Sequence, residues 1–494
     1  MAKKIDLQIP LNRVEGDLDI HVTIEDGEIT DAKSIGTLYR GFENILKGRD
    51  PLDALVMTPR VCGICSISHL SAAVKALEDA YGITPPIQAV RFRNLSIMCE
   101  NLQSDIKQVF LMFMADFAHE YYKDRSFYET AKKYYAPFKG EISRSLLLAT
   151  KDILKIIAYI GGQWPHTSHM VPGGLNVLAD DLEIFRIRTL IVKFKKWYEK
   201  EILKTEYNEF FALQSVDDLE IFVQNHPDSH LSIFYDIAKK TNLFEIGKTG
   251  YSFINYGSLD LENGDYFIPR SLCSSQKETL DIAKISEDVT YAWYDKCSTN
   301  PMKAKTLPNV DKEGAYSFTK APRYNELPAQ TGPLGEELAL ENPLFLDLYK
   351  HYGDCVFVRE LARMVRPIRY SHFMEKEIEL IIDNKELPIY IKPHYKKNAK
   401  GIGLTHAARG ALGHWIKIKD HKIENYQIIS PTTWNGSVKD KEGNFGPWEK
   451  ALIGLKIKDV DNPMELGHVI RSFDPCLVCT VHFIGEDKKI TFRG

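Results

Sequence analysis

RVCGICSISH, residues 60–69, sets two thiols, Cys62 and Cys65, three residues apart at the mouth of a predicted helix. DPCLVCTVH, residues 474–482, repeats the arrangement near the other end, with Cys476 and Cys479 three apart and His482 three beyond. Both read Cys-x-x-Cys trailed by a histidine, and only folding can unite them. Four thiolates from two such turns form a soft, strongly donating set. They suit zinc, nickel, copper(I) or iron–sulfur chemistry and are poor for magnesium or calcium. The plain alternative is a structural zinc site, but zinc ribbons usually hold their pairs within a few tens of residues. Here most of a 494-residue chain separates them, and a chain of that length builds ample core without a metal staple. A chemical site is the better reading. Arg60 and Asp474 put opposite charges beside the thiols, while His69 and His482 can hydrogen-bond a sulfur or serve a second metal.

Four further stretches belong with these two: LNRVEGDLDI (11–20), YRGFENILKGRDP (39–51), HAARGALGHWI (406–416) and YQIISPTTWN (426–435). Together, and in this order, they resemble the large, catalytic subunit of [NiFe]-hydrogenases; residues 175–350 match weakly. SFDPCLVCTVH (472–482) is more similar to the cytosolic uptake and hydrogen-sensing branch than to the periplasmic one. The resemblance implies reversible heterolytic cleavage of H2. It implies Cys62 and Cys476 as terminal nickel ligands, with Cys65 and Cys479 bridging nickel to an iron that bears carbon monoxide and two cyanides. It also implies Glu15 as the proton carrier, Arg409 over the metals and Thr432 as donor to a cyanide. Glu43, the carbonyl of Ile428 and His482 would ligate magnesium. Once the paired thiols are used, no cysteine cluster is left to carry electrons, so an iron–sulfur partner subunit is implied. Maturation proteins are implied too, including an endopeptidase that removes the polar tail 483–494 after His482. A hydrogen sensor with the same site and little turnover is the alternative, and a four-cysteine zinc protein a remote one.

Each of these residues also has a plainer reading. Glu15 is a surface or salt-bridged glutamate, Glu43 a helix-start carboxylate favoured by the dipole, His69 a core histidine, Arg409 a surface arginine, and PTTWN ordinary turn chemistry. Two departures from the family pattern stand out. Asp105 and Gln108 occupy the places of the histidines in a Ser-His-x-x-His element, and Ala408 replaces the proline common before the arginine.

Composition sets the outer bounds. A net charge of −4 gives no reason to expect nucleic acid or an anionic membrane surface as partner. No run of eighteen uncharged apolar residues or signal-peptide segment is found, so a cytoplasmic location is expected, with any membrane association made through a partner. Cys99, Cys273, Cys297 and Cys355 are isolated and read as buried packing thiols in a reducing compartment. The expected architecture is one domain, mainly α with small β-sheets. A small antiparallel sheet over 1–40 turns at Asp26-Gly27, and a multi-helix bundle core follows over 45–213. Next come an irregular surface excursion over 215–330 and a helical return with metal-lining segments over 340–482. The metal site is expected between the N- and C-terminal motifs. Gly401 and Gly403 form a lone Gly-x-Gly, too weak for a dinucleotide site.

Overall fold

The computed structural model describes residues 4–295 and 299–477. Cys297, Cys479, His482 and the tail 483–494 lie outside the described residues. The helix Ser66–Tyr81 begins directly at Cys65, its N-cap, and ends at Gly82, whose φ of 69° is the left-handed conformation that glycine adopts without a Cβ penalty. All of this helix except Lys75 and Asp79 is buried, so it runs through the interior.

One flank of that helix takes the strand Ala399–Ala407. A Cβ on Gly403 would stand 1.9 Å from the carbonyl oxygen of Ala72, and one on Gly401 2.0 Å from that of Ala76. The Gly-x-Gly pair therefore serves close packing of strand on helix. Four long helices close a ring beside it. Ile87–Lys107 packs on Glu141–Gly161, which packs on Asp181–Trp197, and Val356–Asp383 touches both Ile87–Lys107 and Asp181–Trp197. Their starts are written locally. Pro86 precedes the first, and Asp180 with Glu183 makes a reciprocal capping box for the third. The fold is mainly helical with small antiparallel sheets, as expected.

The N-terminal sheet is a meander of Lys4–Pro10, Asp19–Glu25 and Glu28–Ile35. Its predicted hairpin turn holds both Asp26 and Gly27 at positive φ, the geometry that matches strand twist. A second meander joins Ala399–Ala407, Gly410–Lys419 and Lys422–Ile429. Ala407 pairs with Gly410, so Ala408 and Arg409 form a two-residue hairpin tip.

The stretch expected as an irregular surface excursion differs from that reading. Val216–Asn225 and His230–Thr241 are helices, capped by the side chains of Ser215 and Ser229. The strand Phe253–Asp260 is buried along nearly its whole length, because it packs on the second meander through Ile254 and Tyr256. No helix among the described residues is long and apolar enough to cross a membrane.

Candidate metal centre

The two ends of the chain meet in a backbone bridge. The amide of Glu15 donates to the carbonyl of Pro475 at 3.1 Å, and that of Leu477 to the carbonyl of Glu15 at 2.7 Å. From the other side, Arg40 holds the carbonyls of Arg60 and Val61 and so fixes the turn that carries Cys62. Cys62, Cys65 and Cys476 are thereby buried in one cluster with Ala407 and Leu412. The sulfurs of Cys62 and Cys476, 414 positions apart, stand 3.6 Å from one another. That is far beyond the disulfide length of about 2.05 Å. Two thiolates bound to one metal at about 2.3 Å lie about 3.3–3.8 Å apart for angles between square and tetrahedral. The observed spacing falls inside that range, and a buried pair of soft donors is a donor set that fits a soft metal. Cys479 and His482, the remaining members of the C-terminal motif, lie outside the described residues.

Arg409 reaches from the hairpin tip across this cluster. Its Nη1 donates to Cys65 Sγ at 3.3 Å, its Nε to the Asp474 carbonyl at 2.9 Å and its Nη2 to Asp474 Oδ1 at 3.0 Å. Burial alone would lower its pKa, but Asp474, Cys476, Cys65 and Cys62 overcome that and raise it, so the charge is permanent. Asp474 sits at φ 55°, a conformation that aspartate tolerates better than bulkier residues and that turns its carboxylate onto the arginine. Thr432 lies on the short helix Pro431–Asn435, and its hydroxyl accepts the amide of Cys476 at 3.3 Å. Glu15 is half-buried at the edge of the cluster. Its carboxyl pKa is raised by burial first and by Cys62 and Asp474, with Arg409 pulling the other way.

His69 is buried one helical turn beyond Cys65. Its Nδ1 lies 3.1 Å from His414 Nε2, and His414 Nδ1 lies 2.8 Å from the Tyr426 hydroxyl. Burial lowers the His69 pKa to about 4, against the pull of Cys62. The first turn of the same helix is occupied by Glu100, which was not anticipated. Its carboxylate accepts the amides of Ile67 and Ser68 at 2.7 and 2.9 Å, and burial pushes its pKa up to about 7.

Glu43 belongs to a separate polar pocket. Its Oε1 accepts the amide of Ile428 at 2.9 Å, its Oε2 lies 3.1 Å from Lys320 Nζ, and Thr306 also donates to it. Glu287 faces the same ammonium at 3.5 Å, is fully sheltered from solvent, and neither of its oxygens has a hydrogen-bond partner. Glu43, whose oxygens take Ile428, Thr306 and Lys320, and Glu287, whose two oxygens are orphaned, are hard oxygen donors of the kind magnesium takes, beside Gln427 on the same lysine. Glu287, Lys320, Thr306 and Gln427 carry no local motif, and sequence reasoning missed them.

Asp105 and Gln108, at the places of the family's histidines, are both held by ion pairs or hydrogen bonds. Asp105 takes Arg366 in two bonds of 2.8 and 2.5 Å, and Arg366 also holds the carbonyl of Ala408 at the hairpin tip. Gln108 donates to Glu360 at 2.8 Å. His169, a loop histidine, is buried against Ser96 and Thr167, whereas His166 is partly exposed.

Thiols from both ends of the chain, buried together beside the helical ring and capped by a guanidinium, are a donor set of the class that metalloenzymes use for soft metals. The family model described as nickel-dependent hydrogenase matches residues 40–118 and 114–482, and the chain belongs to that family. It is similar to the periplasmic [NiFeSe] hydrogenase large subunit of Desulfomicrobium baculatum, 32% identical over 97% of this chain and 95% of that one. The Hydrogenase-2 large chain of Escherichia coli is 26% identical over 99% of this chain and 98% of its own. Among solved structures, the Ni-Fe-Se hydrogenase from D. vulgaris Hildenborough in the reduced state superposes with a TM-score of 0.83 at 28% identity, covering 98% of this chain and 100% of that one. The chain is thus a hydrogenase large subunit, an oxidoreductase that acts on H2. The selenium in those names has no counterpart in its sequence, where all four motif positions are cysteines.

Proposed function

We propose that Cys62 and Cys476 are terminal ligands of nickel, and that Cys65 and Cys479 bridge it to an iron carrying carbon monoxide and two cyanides. The 3.6 Å approach of two buried sulfurs from opposite ends of the chain carries this reading. When bound, the metals supply a Lewis-acid centre at which H2 is polarised and split. The chain's own residues handle the charge and the proton. Arg409 holds a fixed positive charge on the sulfur of Cys65 and orients the Asp474 side chain. Glu15 takes the proton at its carboxylate, whose pKa burial raises, so that it holds a proton more readily than an exposed glutamate does. Thr432 offers a hydroxyl to a diatomic ligand, and His69, fixed by His414, stands beside Cys62. Glu43, the Ile428 carbonyl and His482 would hold magnesium, with the Glu287 carboxylate beside Glu43 adding negative charge there.

Electrons leave through an iron–sulfur partner subunit, since the isolated cysteines described here are buried singly. Those buried thiols also support a cytoplasmic location in a reducing compartment. An endopeptidase that trims the chain after His482 fits the family match, which ends at residue 482. Hydrogen uptake is favoured over sensing by the relative from Rhodobacter capsulatus named uptake hydrogenase large subunit, 26% identical over 97% of this chain. Infrared spectra and metal analysis of the purified complex test the site. Bands of metal-bound carbon monoxide and cyanide with equimolar nickel and iron are expected; zinc alone, without such bands, would overturn the assignment.

A further inference from the structure

Next to the Arg409–Asp474 pair, the π-helical turn Gln108–Phe113 meets the helix Val356–Asp383 and the turn that carries Ser472 and Asp474. Four side chains there, all nine-tenths buried or more, keep polar atoms with no hydrogen-bond partner: Gln108 Oε1, Glu360 Oε2, Arg363 Nε and Nη1, and Asp474 Oδ2. Direct contacts tie them into one place. Gln108 Nε2 donates at 2.8 Å both to Glu360 Oε1 and to the carbonyl of Arg471. Arg363 Nη2 lies 3.5 Å from the carbonyl of Ser472, and its Nη1 lies 4.0 Å from Asp105 Oδ1.

An orphaned buried donor or acceptor costs about 1–3 kcal/mol, and folded proteins leave few of them. Here two donors and three acceptors are orphaned together. Complementary buried groups of this kind are what an internal water molecule satisfies, with two to four hydrogen bonds each. We propose that this pocket is an internal water site joining Asp474 to Glu360, and that Glu360 is a proton-holding residue for hydrogen turnover.

The proposal rests on the reading that Arg409 and Asp474 lie over the metals. A proton released onto water beside Asp474 passes along the hydrogen bonds to Glu360 Oε2, which becomes a neutral carboxylic acid; the reverse transfer returns it. Nothing else is consumed. Burial pushes the Glu360 carboxyl up to about 8, opposed by Arg363, by the Gln108 amide and by Arg359, and helped by Asp474. Of the other charged groups close by, Asp105 is held by Arg366 and Arg471 by Asp116. Glu360 therefore exchanges its proton near working pH, where a proton store is most effective.

The test uses the purified heterodimer and its Glu360→Gln variant, which keeps side-chain size and can still accept from Gln108. Difference infrared spectra under H2 are recorded from about pH 6 to about pH 9, a span that brackets the titration. In the native protein a protonated-carboxyl band that titrates near pH 8 is expected. It should be lost in Glu360→Gln, together with the alkaline limb of the turnover profile, while the metal-bound carbon monoxide and cyanide bands stay in place. An unchanged carboxyl band and pH profile, with those metal bands intact, would overturn the role of Glu360 and leave the metal site standing. Metal bands missing from both proteins would instead overturn the metal-site reading, and this inference with it. If the variant does not fold, a crystal structure of the native heterodimer decides. Ordered water touching Glu360 Oε2, Arg363 Nη1 and Asp474 Oδ2 supports the proposal, and a dry pocket refutes it.

Discussion

Cys65 and Cys273 are both buried thiols, yet their surroundings assign them opposite fates. Cys65 Sγ accepts from Arg409 at 3.3 Å, beside the pair formed by Cys62 and Cys476. Cys273 hydrogen-bonds to the neutral side chains of Ser271 at 3.2 Å and Asn255 at 3.8 Å, and burial raises its pKa. Serine is a harder donor and far more difficult to ionise. Cys65→Ser should therefore lose nickel and H2 turnover, while Cys273→Ser should keep both near native levels. Metal analysis with an H2-uptake assay checks the pair, and full nickel and turnover in Cys65→Ser would refute its role. Glu15→Gln preserves size but carries no titratable proton. Turnover should fall about a hundredfold or more with metal content intact, and an unchanged rate would send the proton elsewhere. These residues were legible because they sit in contiguous motifs. Glu100, Glu287 and Lys320 were not, since each acts through partners far away in sequence and no local spacing announces a buried polar contact.

At the level of elements, one carboxylate pins the bridge between the chain's ends. Asp116, fully buried in the turn Met114–Ala118, takes Arg471 Nη1 at 2.8 Å and His468 Nδ1 at 3.1 Å, and also Arg13. Arg471 in turn holds the carbonyl of Asn12 at 3.1 Å. The helix Met464–Arg471 and the segment leading to Glu15 thus share an anchor. Asp116→Ala would leave buried cations unpaired, and unfolding in denaturant should show a loss of about 3–5 kcal/mol. A change within ~0.5 kcal/mol, as for an ordinary surface site, would contradict this. Glu449 ties the N-terminal sheet to the helix Pro447–Leu452 by accepting the Ser34 amide at 3.0 Å and the Tyr316 hydroxyl at 2.7 Å. Burial raises its pKa from 4.5 to about 7, so the folded state favours the protonated form. Its contribution is fully present below about pH 4.5 and is lost as pH rises through about 7. Glutamine has no such loss, so the penalty of Glu449→Gln in thermal unfolding should be smaller at about pH 8 than at about pH 5. An equal penalty at both would contradict the raised pKa. Element boundaries with strong punctuation were legible, as at Gly82 and Asp26-Gly27. The helices over 216–241 were not, because a mixed polar composition masked their Ser215 and Ser229 caps. The burial of Phe253–Asp260 was also hidden, since both of its faces are covered and no polar alternation marks an outer one.

Across the whole molecule, the fold is a device for bringing residues 12–15, 62–65, 409 and 474–476 to one point. The order of motifs along the chain foretold that meeting. It did not foretell the strand–helix packing through Gly401 and Gly403 that sets the hairpin tip over the thiols. Residues 483–494 carry Glu486, Asp487, Lys488, Lys489 and Arg493, charged side chains that are costly to bury. Intact mass of nickel-loaded protein should therefore correspond to a chain ending at His482; a mass that includes residues 483–494 would refute trimming. The central claim is that thiolates from both ends of the chain share a nickel ion. Nickel-edge X-ray absorption of the purified complex tests it most directly. A sulfur-dominated first shell in the native protein, with sulfur lost or nickel absent in Cys476→Ser, is the predicted result; nickel bound only by nitrogen and oxygen, or a sulfur shell unchanged in Cys476→Ser, would contradict it.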